Sequence, residues 1–349
     1  MQFQYETVAG RVLFGAGVVA RLGDELDRLG TTRALAIASK RAADELAARL
    51  GPERCAGVHT GVAEHVPVEA AAAAREAAGR AGADCLVVMG GGSAIGLAKA
   101  VALELELPIV AVPTSYSGSE MTPIYGITSR QGKRTGRDRR VLPRVVLYDP
   151  ELTVGLPPRV SGSSGMNALA HCVEALYGPG ANPVTALSAL EGARALARGL
   201  PVVVSRPDDL DGRTDALYGA HLGGASLAVA GVAIHHQLCH VLGGSFGLPH
   251  ADLNAVVLPH AARFVGEAVP AELAQVARAL GAEEAATGLY DFARRLGTPS
   301  SLAELGMAEG DLDRAAELAV TAVARAPRAA TVEDLRGLLR DAFVGRRPG

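Results

Sequence analysis

The residues best suited to chemistry are histidines in the stretch Gly231 to Pro259, which reads GVAIHHQLCHVLGGSFGLPHADLNAVVLP. His236 and His240 are four residues apart, so they share one face if this stretch is helical. His250 follows a glycine-rich break. Imidazoles serve as metal ligands, as proton donors and as groups that stabilise an anion. The stretch therefore predicts a metal site or an acid–base site.

A second stretch repeats the four-residue spacing. Asn167 and His171 lie in the segment Met166–Tyr177, whose apolar residues recur with helical periodicity. If the two predicted helices face each other, Asn167 and His171 would line one pocket with His236 and His250. A lone histidine in an apolar helix is usually a hydrogen-bonded core residue. Several histidines on two helices, at matching spacing, favour a functional site instead.

The elements that would position these residues follow from two patterns of apolar residues along the chain. Up to Asp149, short apolar runs typical of buried parallel strands alternate with helical segments. The predicted strands are one or two within residues 2–14, then 34–38, 85–89, 108–112 and 145–148. From about Gly162 onward nearly every segment has helical periodicity. We therefore predict an α/β domain with a doubly wound parallel sheet over residues 1–155, and an all-α domain over residues 156–349.

A run of glycines stands between a predicted strand and a predicted helix. Gly90, Gly91 and Gly92 precede Ser93. Glycines let backbone N–H groups approach a phosphate closely, and the start of the following helix adds a favourable dipole. The run lacks the G-x-G-x-x-G pattern, and a tight turn with Ser93 as the helix cap is the alternative. Its position after a buried strand favours binding of a pyrophosphate.

The segment Pro113–Thr122 is rich in hydroxyl groups and follows another predicted strand. Open parallel sheets bind their ligands at this end of the strands. Thr114, Ser115 and Ser117 offer more hydrogen-bond donors than a turn needs, so we expect them to contact a ligand.

Cationic side chains are concentrated in Gly132–Arg140, GKRTGRDRR. A solvated, charged hairpin is the more common explanation for such a run. A dianionic substrate would give some of these groups another use, since arginine presents a fork that matches a carboxylate. Lys133 and Arg137 are the candidates for that contact.

The composition excludes several classes of protein. With 349 residues and a net charge of −3, the chain has no basic surplus for nucleic acid or an anionic membrane surface. Its 42 glycines and many alanines predict closely packed helices. The four cysteines lie far apart, without CxxC spacing, which indicates buried thiols in a reducing compartment. The N-terminus has no signal-peptide pattern and the apolar runs are short, so we expect a cytoplasmic protein.

Together these motifs resemble the iron-containing alcohol dehydrogenase superfamily over nearly the whole chain. The resemblance implies a nucleotide-binding α/β domain, a helical domain and a cleft between them. It places GGGS at Gly90–Ser93 and metal-ligand positions at Asn167, His171, His236 and His250. The block H-x-x-x-H followed by H-G-x-x-N-A-x-x-L-P also matches, with alanine in place of its glycine, at His236, His240 and 250–259.

Two departures indicate one branch of that superfamily. Gly96 stands where the superfamily usually has an aspartate, and Asn167 replaces the anionic metal ligand. A neutral amide is a poor ligand for Fe²⁺ or Zn²⁺. With PTSYSGSEMTPIYGIT and GKRTGRD, these departures resemble the maleylacetate reductases, which implies reduction of an enone dicarboxylate by NADH or NADPH without a bound metal.

The resemblance also implies roles for the polar residues. Hydride would add to the alkene carbon β to the ketone, and an imidazole would stabilise the enolate while a second group protonates the α-carbon. His236 and His250 are the first candidates, His171 would orient the substrate, and His240 is a further proton donor or supporting group. Asn167 becomes a neutral hydrogen-bonding residue.

Two further expectations concern the group at the 2′ position of the cofactor's adenosine ribose and the oligomeric state. Ser39 and Lys40 end the predicted strand Ala34–Ala38, where a protein specific for NAD often has an acidic residue. We therefore expect both NADH and NADPH to be used. A homodimer is expected from the resemblance alone, with the N-terminal strand as a possible site of pairing.

Three alternatives stay open on the sequence. The first is a metal-dependent alcohol or polyol dehydrogenase with the same fold. The second is a lyase of the dehydroquinate synthase type, which needs a full metal site, so Asn167 counts against it. The third is a nucleotide-binding protein without turnover, against which the density of histidines argues.

Overall fold

The structure is a computed structural model that describes residues 3, 5, 6, 10–129, 132–323 and 326–349. The chain divides into two compact units. One is Thr7–Gly155, and the other is Leu156–Gly349 together with Met1–Glu6.

The first unit is built on a six-stranded, fully parallel sheet in the order β1-β8-β5-β4-β2-β3. Its strands are β1 Arg11–Phe14, β2 Ala34–Ala38, β3 Cys55–His59, β4 Cys85–Gly90, β5 Ile109–Pro113 and β8 Val145–Tyr148. Every residue of β2, β5 and β8 is buried, as the continuous apolar runs predicted. The predicted doubly wound parallel sheet is therefore confirmed.

Helices connect these strands: α1 Leu22–Leu29, α2 Lys40–Arg54, α3 Val68–Ala81 and α4 Gly92–Leu105. After β2 the chain turns outward to β3, whereas from β4 it proceeds the other way to β5. The order of the strands thus reverses between β2 and β4. In open α/β sheets, ligands bind outside the carboxyl ends of the strands at this reversal.

Within residues 2–14 the described part forms one strand, β1, which agrees with the predicted one or two, while residues 2, 4 and 7–9 lie outside the described residues. Other details differ from the sequence-based expectation. The strand β3 was not predicted. The glycine loop is shorter than predicted, because β4 runs through Gly90 and α4 begins at Gly92. Gly91 is therefore the residue before the helix, and Ser93 lies inside its first turn, not at its cap.

The cationic run forms a hairpin, as its more common explanation predicts. β6 Ile124–Ser129 pairs antiparallel with β7 Gly132–Arg137 in a separate two-stranded sheet. Arg134 lies 5.9 Å from the centre of the Tyr125 ring.

Buried carboxylates fix the rim of the parallel sheet. The side chain of Asp149, just after β8, accepts hydrogen bonds from the backbone N–H groups of Gly17 and Val19, each at 3.1 Å. Glu25 is 1% exposed and accepts from Arg11 and Arg28. Both carboxylates have paired donors, which offsets the cost of burying them.

The second unit is helical. Its helices are α5 Pro158–Ala175, α6 Pro183–Ser205, α7 Leu210–Ala230, α8 Ile234–Phe246, α9 His250–Val265, α10 Pro270–Leu280, α11 Ala285–Arg295, α12 Leu312–Ala322 and α13 Val332–Val344. Every residue of α5 from Ser161 to Ala175 is buried. A Cβ on Gly219 would lie 2.6 Å from Leu196 Cγ, and one on Gly223 would lie 2.8 Å from the Ala168 carbonyl oxygen. Glycine thus permits the close helix packing that the composition predicted.

The thiols are free: Cys85, Cys172 and Cys239 are buried and Cys55 is half-buried. Among the described residues, no single helix is long and apolar enough to span a membrane. The consecutive helices α7 and α8 reach that length and apolar character only when they are taken together, and they are bent by 97° relative to each other.

Candidate active site

Four imidazole rings form a row inside the helical unit. His171 of α5 stacks on His236 of α8, with ring centres 4.8 Å apart and planes 21° apart. The rings of His236 and His240 are 6.4 Å apart, edge to face. His240 then stacks on His250, the first residue of α9, at 6.1 Å. The structure therefore brings together the four histidines that the spacing singled out.

Burial increases along this row. His240 and His250 are half-buried, whereas His236 and His171 are only 3% and 5% exposed. Asn167, one turn before His171 on α5, is also buried. The row thus runs from a partly solvated end to a dry end, where electrostatic interactions are strongest.

Glu174 is the important side chain that the sequence analysis missed. It follows His171 by three residues on α5 and is fully buried. Its Oε1 accepts from the backbone N–H groups of His235 and His236, at 2.7 and 3.3 Å, in the first turn of α8. Its Oε2 lies 2.6 Å from Nδ1 of His236. One carboxylate therefore caps α8 and holds the ring of His236.

The proton between Glu174 and His236 has a defined place. Burial raises the pKa of Glu174 and lowers the pKa of His236 to about 3, so the pair shares one proton. The backbone donors to Glu174 favour its carboxylate form. The proton accordingly belongs to Nδ1 of a neutral His236, and Nε2 carries a lone pair. Nε2 is buried and has no hydrogen-bond partner among the described residues.

The neighbouring histidines are neutral as well. Burial lowers the pKa of His171 well below its usual value, and the charges that His236 and His235 would carry lower it further. Burial lowers the pKa of His235 to about 3. A cationic imidazole is thus disfavoured at this dry end before substrate binds.

His235 and Asn254 join α8 to α9. Nε2 of His235 lies 2.8 Å from Oδ1 of Asn254, and the Asn254 amide donates to the His250 carbonyl oxygen at 2.6 Å. Asn254 is fully buried. This link fixes the start of α9, and with it His250, against α8.

The donor set fits a transition metal poorly. No three His, Cys, Asp or Glu side chains in the described part of the chain are arranged as metal ligands. The rings of His171 and His236 are stacked, and the nearby carboxylate of Glu174 is occupied by α8 and Nδ1 of His236. An amide and neutral imidazoles supply no anionic ligand.

The glycine run in the first unit forms a cradle without side chains. A Cβ on Gly91 would lie 2.8 Å from Ser115 Oγ, and one on Gly92 would lie 3.3 Å from Ser117 Cβ. The backbone N–H of Thr114 donates to the Gly90 carbonyl oxygen at 3.1 Å, which joins the two loops. No side chain among the described residues caps the start of α4. Its free N–H groups and dipole fit a phosphate of a dinucleotide.

A buried network holds the hydroxyl-rich loop in place. Lys99 of α4 is fully buried, and burial lowers its pKa to about 7. Its amine donates at 2.7–2.8 Å to three carbonyl oxygens, those of Ser119, Thr122 and Ile124. Three such acceptors need the three donors of an ammonium, so they favour the charged form.

Glu120 completes this network. It is 1% exposed, and it accepts from Ser117 Oγ at 3.1 Å and from the Tyr148 hydroxyl at 2.9 Å. Burial raises its pKa. The loop that carries Ser117 is therefore anchored both to α4 and to the end of β8.

Val66 explains the unusual glycine at position 96. A Cβ on Gly96 would lie 2.9 Å from Cγ2 of Val66. Val66 has a φ of 51°, which is a strained conformation for a β-branched residue. Its carbonyl oxygen accepts from the backbone N–H of Thr128 at 3.0 Å. The side chain of Val66 therefore fills the space that an aspartate at position 96 would need.

The remaining predicted residues belong to the first unit. Ser39 and Lys40 are exposed where β2 ends, beside the reversal of strand order, and Ser39 precedes α2. Arg137 is exposed at the end of β7. Lys133 lies on β7, and its side chain is outside the described residues.

Comparison with known proteins extends this description. The family model "Iron-containing alcohol dehydrogenase" matches residues 9–150, and "Fe-containing alcohol dehydrogenase family, C-terminal" matches residues 161–343. A maleylacetate reductase of Burkholderia cepacia is 49% identical over 349 residues, covering 99% of each chain. Among solved structures, the maleylacetate reductase of Agrobacterium tumefaciens is 47% identical with a TM-score of 0.95, covering 100% of both chains. That of Rhizobium sp. strain MTP-10005 is 47% identical with a TM-score of 0.94, covering 99% of each.

Proposed function

The chain belongs to the maleylacetate reductases of the iron-containing alcohol dehydrogenase family, and on that premise we propose that it reduces the C=C bond of maleylacetate to give 3-oxoadipate. The electron donor is NADH or NADPH. The observation that carries this proposal is the row of four imidazoles beside Asn167, in place of a site with an anionic metal ligand.

The cofactor would be held by the first unit. The glycine cradle and the first turn of α4 would bind the pyrophosphate, with Thr114, Ser115 and Ser117 as further donors. The cofactor supplies the hydride. Ser39 and Lys40, exposed after β2, present no carboxylate that would repel a 2′-phosphate. We therefore propose that both cofactors are used.

The histidine row would stabilise the developing negative charge and supply a proton during the reduction. When hydride adds to the alkene carbon β to the ketone, the electrons of the double bond move to the ketone oxygen as an enolate. Donors placed at a developing oxyanion are typically worth on the order of 10²–10³ in rate. His171, His236, His240 and His250 are the candidates for that role and for protonation of the α-carbon. The metal-independent reaction is part of the proposal.

The biological setting is proposed on the same premise. The reaction belongs to the breakdown of aromatic compounds, including chloroaromatic and hydroxyquinol or resorcinol routes. The protein would act in the cytoplasm as a homodimer. The main alternative is a metal-dependent alcohol or polyol dehydrogenase of the same family, which would act on a carbonyl group.

A turnover assay tests the activity directly. We expect NADH and NADPH each to be oxidised with maleylacetate, in matched runs followed by the loss of nicotinamide absorbance. Simple aldehydes with NADH or NADPH, and simple alcohols with NAD⁺ or NADP⁺, should give rates lower by about 10³ or more, because they cannot form the enolate. Turnover of an alcohol but not of maleylacetate would refute the proposal, and a preference for NADH above roughly a thousandfold would refute dual cofactor use.

A further inference from the structure

The segment between β3 and α3 contains a strained turn of the backbone. His65 and Val66 are consecutive residues with φ of 60° and 51°, in the left-handed region. Residues other than glycine seldom adopt this region, and a β-branched valine there is an outlier. Such conformations persist only where the surrounding contacts impose them, and they are concentrated at ligand-binding and active sites. This turn is therefore a candidate for a functional contact.

Neighbouring elements hold the turn in this conformation. The backbone N–H of Thr128 on β6 donates to the Val66 carbonyl oxygen at 3.0 Å, and the Thr128 hydroxyl donates to the His65 carbonyl oxygen at 2.8 Å. In addition, Cγ2 of Val66 lies 2.9 Å from the position that a Cβ on Gly96 of α4 would occupy. Both carbonyl oxygens and the valine side chain are thus engaged with β6 and α4, and they fix the backbone that carries the His65 side chain.

The turn borders the crevice at which the order of the strands reverses. Its segment starts at the carboxyl end of β3, which pairs with β2, and reaches α4, which follows β4. Open α/β sheets bind their ligands at the carboxyl ends of such strands. Gly96 lies four residues after Gly92, so Val66 contacts α4 about 6 Å along the helix axis from the glycine cradle. The Cα atom of His65 is about 3.8 Å from that of Val66, which brings its imidazole within reach of a dinucleotide bound on the cradle.

The imidazole of His65 is available to a ligand. The residue is half-buried, and neither ring nitrogen hydrogen-bonds to another residue in the described part of the chain. Neither nitrogen is closed off from solvent, in contrast to Nε2 of His59 at the end of β3. An imidazole has an N–H donor in every protonation state that it adopts in proteins. The oxygens of a pyrophosphate are charged acceptors, and hydrogen bonds to charged groups are stronger than those between neutral groups.

We propose that His65 is a cofactor-binding residue whose imidazole N–H donates to the pyrophosphate of the bound dinucleotide, and that the strained turn holds it in place. The identity of the cofactor rests on the proposed function. The cradle supplies backbone donors at the start of α4, and His65 adds a side-chain donor from the segment after β3. His65 takes no part in the transfer of hydride or of a proton. Its loss therefore raises the KM for the cofactor and leaves kcat nearly unchanged.

His65→Gly separates a binding role from a structural one. Glycine adopts the left-handed conformation without strain, so we expect the melting temperature to stay the same or rise. The dissociation constants of NADPH and of ADP-ribose, measured by calorimetry, should increase at least about tenfold, with kcat at saturating NADPH within about twofold of wild type. ADP-ribose carries the pyrophosphate without the nicotinamide, so it tests the contact without turnover. Glu106→Gly is the matched control, since Glu106 has a φ of 56° at the other end of α4. It should leave both dissociation constants within about twofold of wild type.

A footprint on the wild type needs no variant. Diethyl pyrocarbonate acylates accessible imidazole nitrogens, and mass spectrometry of the peptides identifies the modified residue. ADP-ribose at about ten times its dissociation constant should slow the modification of His65 roughly tenfold.

Three results would overturn the inference. They are a wild type that does not bind ADP-ribose, modification of His65 at the same rate with and without ADP-ribose, and a His65→Gly enzyme with both dissociation constants within about twofold of wild type. If the wild type binds ADP-ribose but does not turn over maleylacetate, the proposed function fails, and the footprint still decides whether His65 contacts the dinucleotide.

Discussion

At the scale of single residues, the distribution of charge supports the proposed metal independence. Asn167 is a buried amide where an anionic ligand would stand, and the carboxylate of Glu174 is committed to α8 and His236. The dry end of the row therefore has no spare negative charge to hold a cation. Neutral imidazoles alone bind divalent ions less tightly than a set that includes a carboxylate.

Restoring an acid at position 167 should create metal affinity. We expect Asn167→Asp to bind Zn²⁺ at least about tenfold more tightly than the wild type, roughly 1.4 kcal/mol, because it adds an anionic donor beside the histidines. Metal content by mass spectrometry and titration calorimetry would measure this. Asn182→Asp is the matched control, since Asn182 is a buried amide in the same unit that caps α6.

The wild type should keep full activity in the presence of a chelator. Stoichiometric Fe or Zn in the purified wild type, with turnover lost on chelation, would contradict metal independence and favour the alcohol dehydrogenase alternative.

The spacing of the histidines was visible in the sequence, but the side chains that hold their rings in place were not. His236 and His240, four apart, were correctly predicted to lie on one helix face. Glu174 could have been found from its place seven residues after Asn167, on the same face of α5. Its role could not, because capping depends on where the start of another helix lies. The strained φ of Val66 likewise has no signature in a single sequence.

At the scale of elements, α4 joins two parts of the proposed cofactor site. Its first turn faces the glycine cradle, and one turn later Lys99 ties down the loop that follows β5. In the sequence Lys99 resembles an ordinary helix lysine, since hydropathy patterns do not show which charged residue is buried. The central strands β2, β4, β5 and β8 were predictable, because strands buried on both faces are continuously apolar. The partly buried β3 lacks that pattern and was not predicted.

Removing the Lys99 ammonium should loosen the loop. Lys99→Met leaves three carbonyl oxygens, which surround a fully buried side chain, without their donor. We expect the free energy of unfolding to fall by about 3–5 kcal/mol, and NADPH to bind at least about tenfold more weakly, roughly 1.4 kcal/mol. Chemical denaturation and fluorescence titration would measure the two effects.

Arg80→Met provides the comparison for this variant. Arg80 lies on α3 in the same unit, and its side chain is 72% exposed, so its loss should change stability by less than about 0.5 kcal/mol. Unchanged cofactor affinity in Lys99→Met would show that the loop does not depend on this anchor.

At the scale of the whole molecule, buried histidines make stability depend on pH. Burial lowers the pKa of His221 and of His260 to about 4. In the unfolded chain a histidine titrates near its ordinary pKa of about 6.5. Between these values the unfolded chain binds more protons than the folded protein, so stability is full above about pH 6.5 and is lost as the pH falls toward 4.

Acid should therefore destabilise the protein in a way that a single substitution can reduce. Each such histidine costs about 1.4 kcal/mol per pH unit within its window. We expect His260→Gln to lessen the loss of stability between pH 6 and pH 5 by about that amount, measured by urea unfolding at each pH. An identical pH dependence in wild type and His260→Gln would show that this ring does not remain neutral in the fold.

The contact between Val66 and Gly96 restricts how this protein could change. An acidic side chain at position 96 collides with Val66 Cγ2, and the loop that carries Val66 is fixed to β6 through Thr128. A smaller residue at position 66 alone leaves a cavity beside α4. An acidic residue at position 96 alone has no space for its side chain. A return to the acid usual in the superfamily thus requires mutations at both positions, and each single mutant on the way is disfavoured. The change to glycine at position 96 is therefore difficult to reverse in evolution.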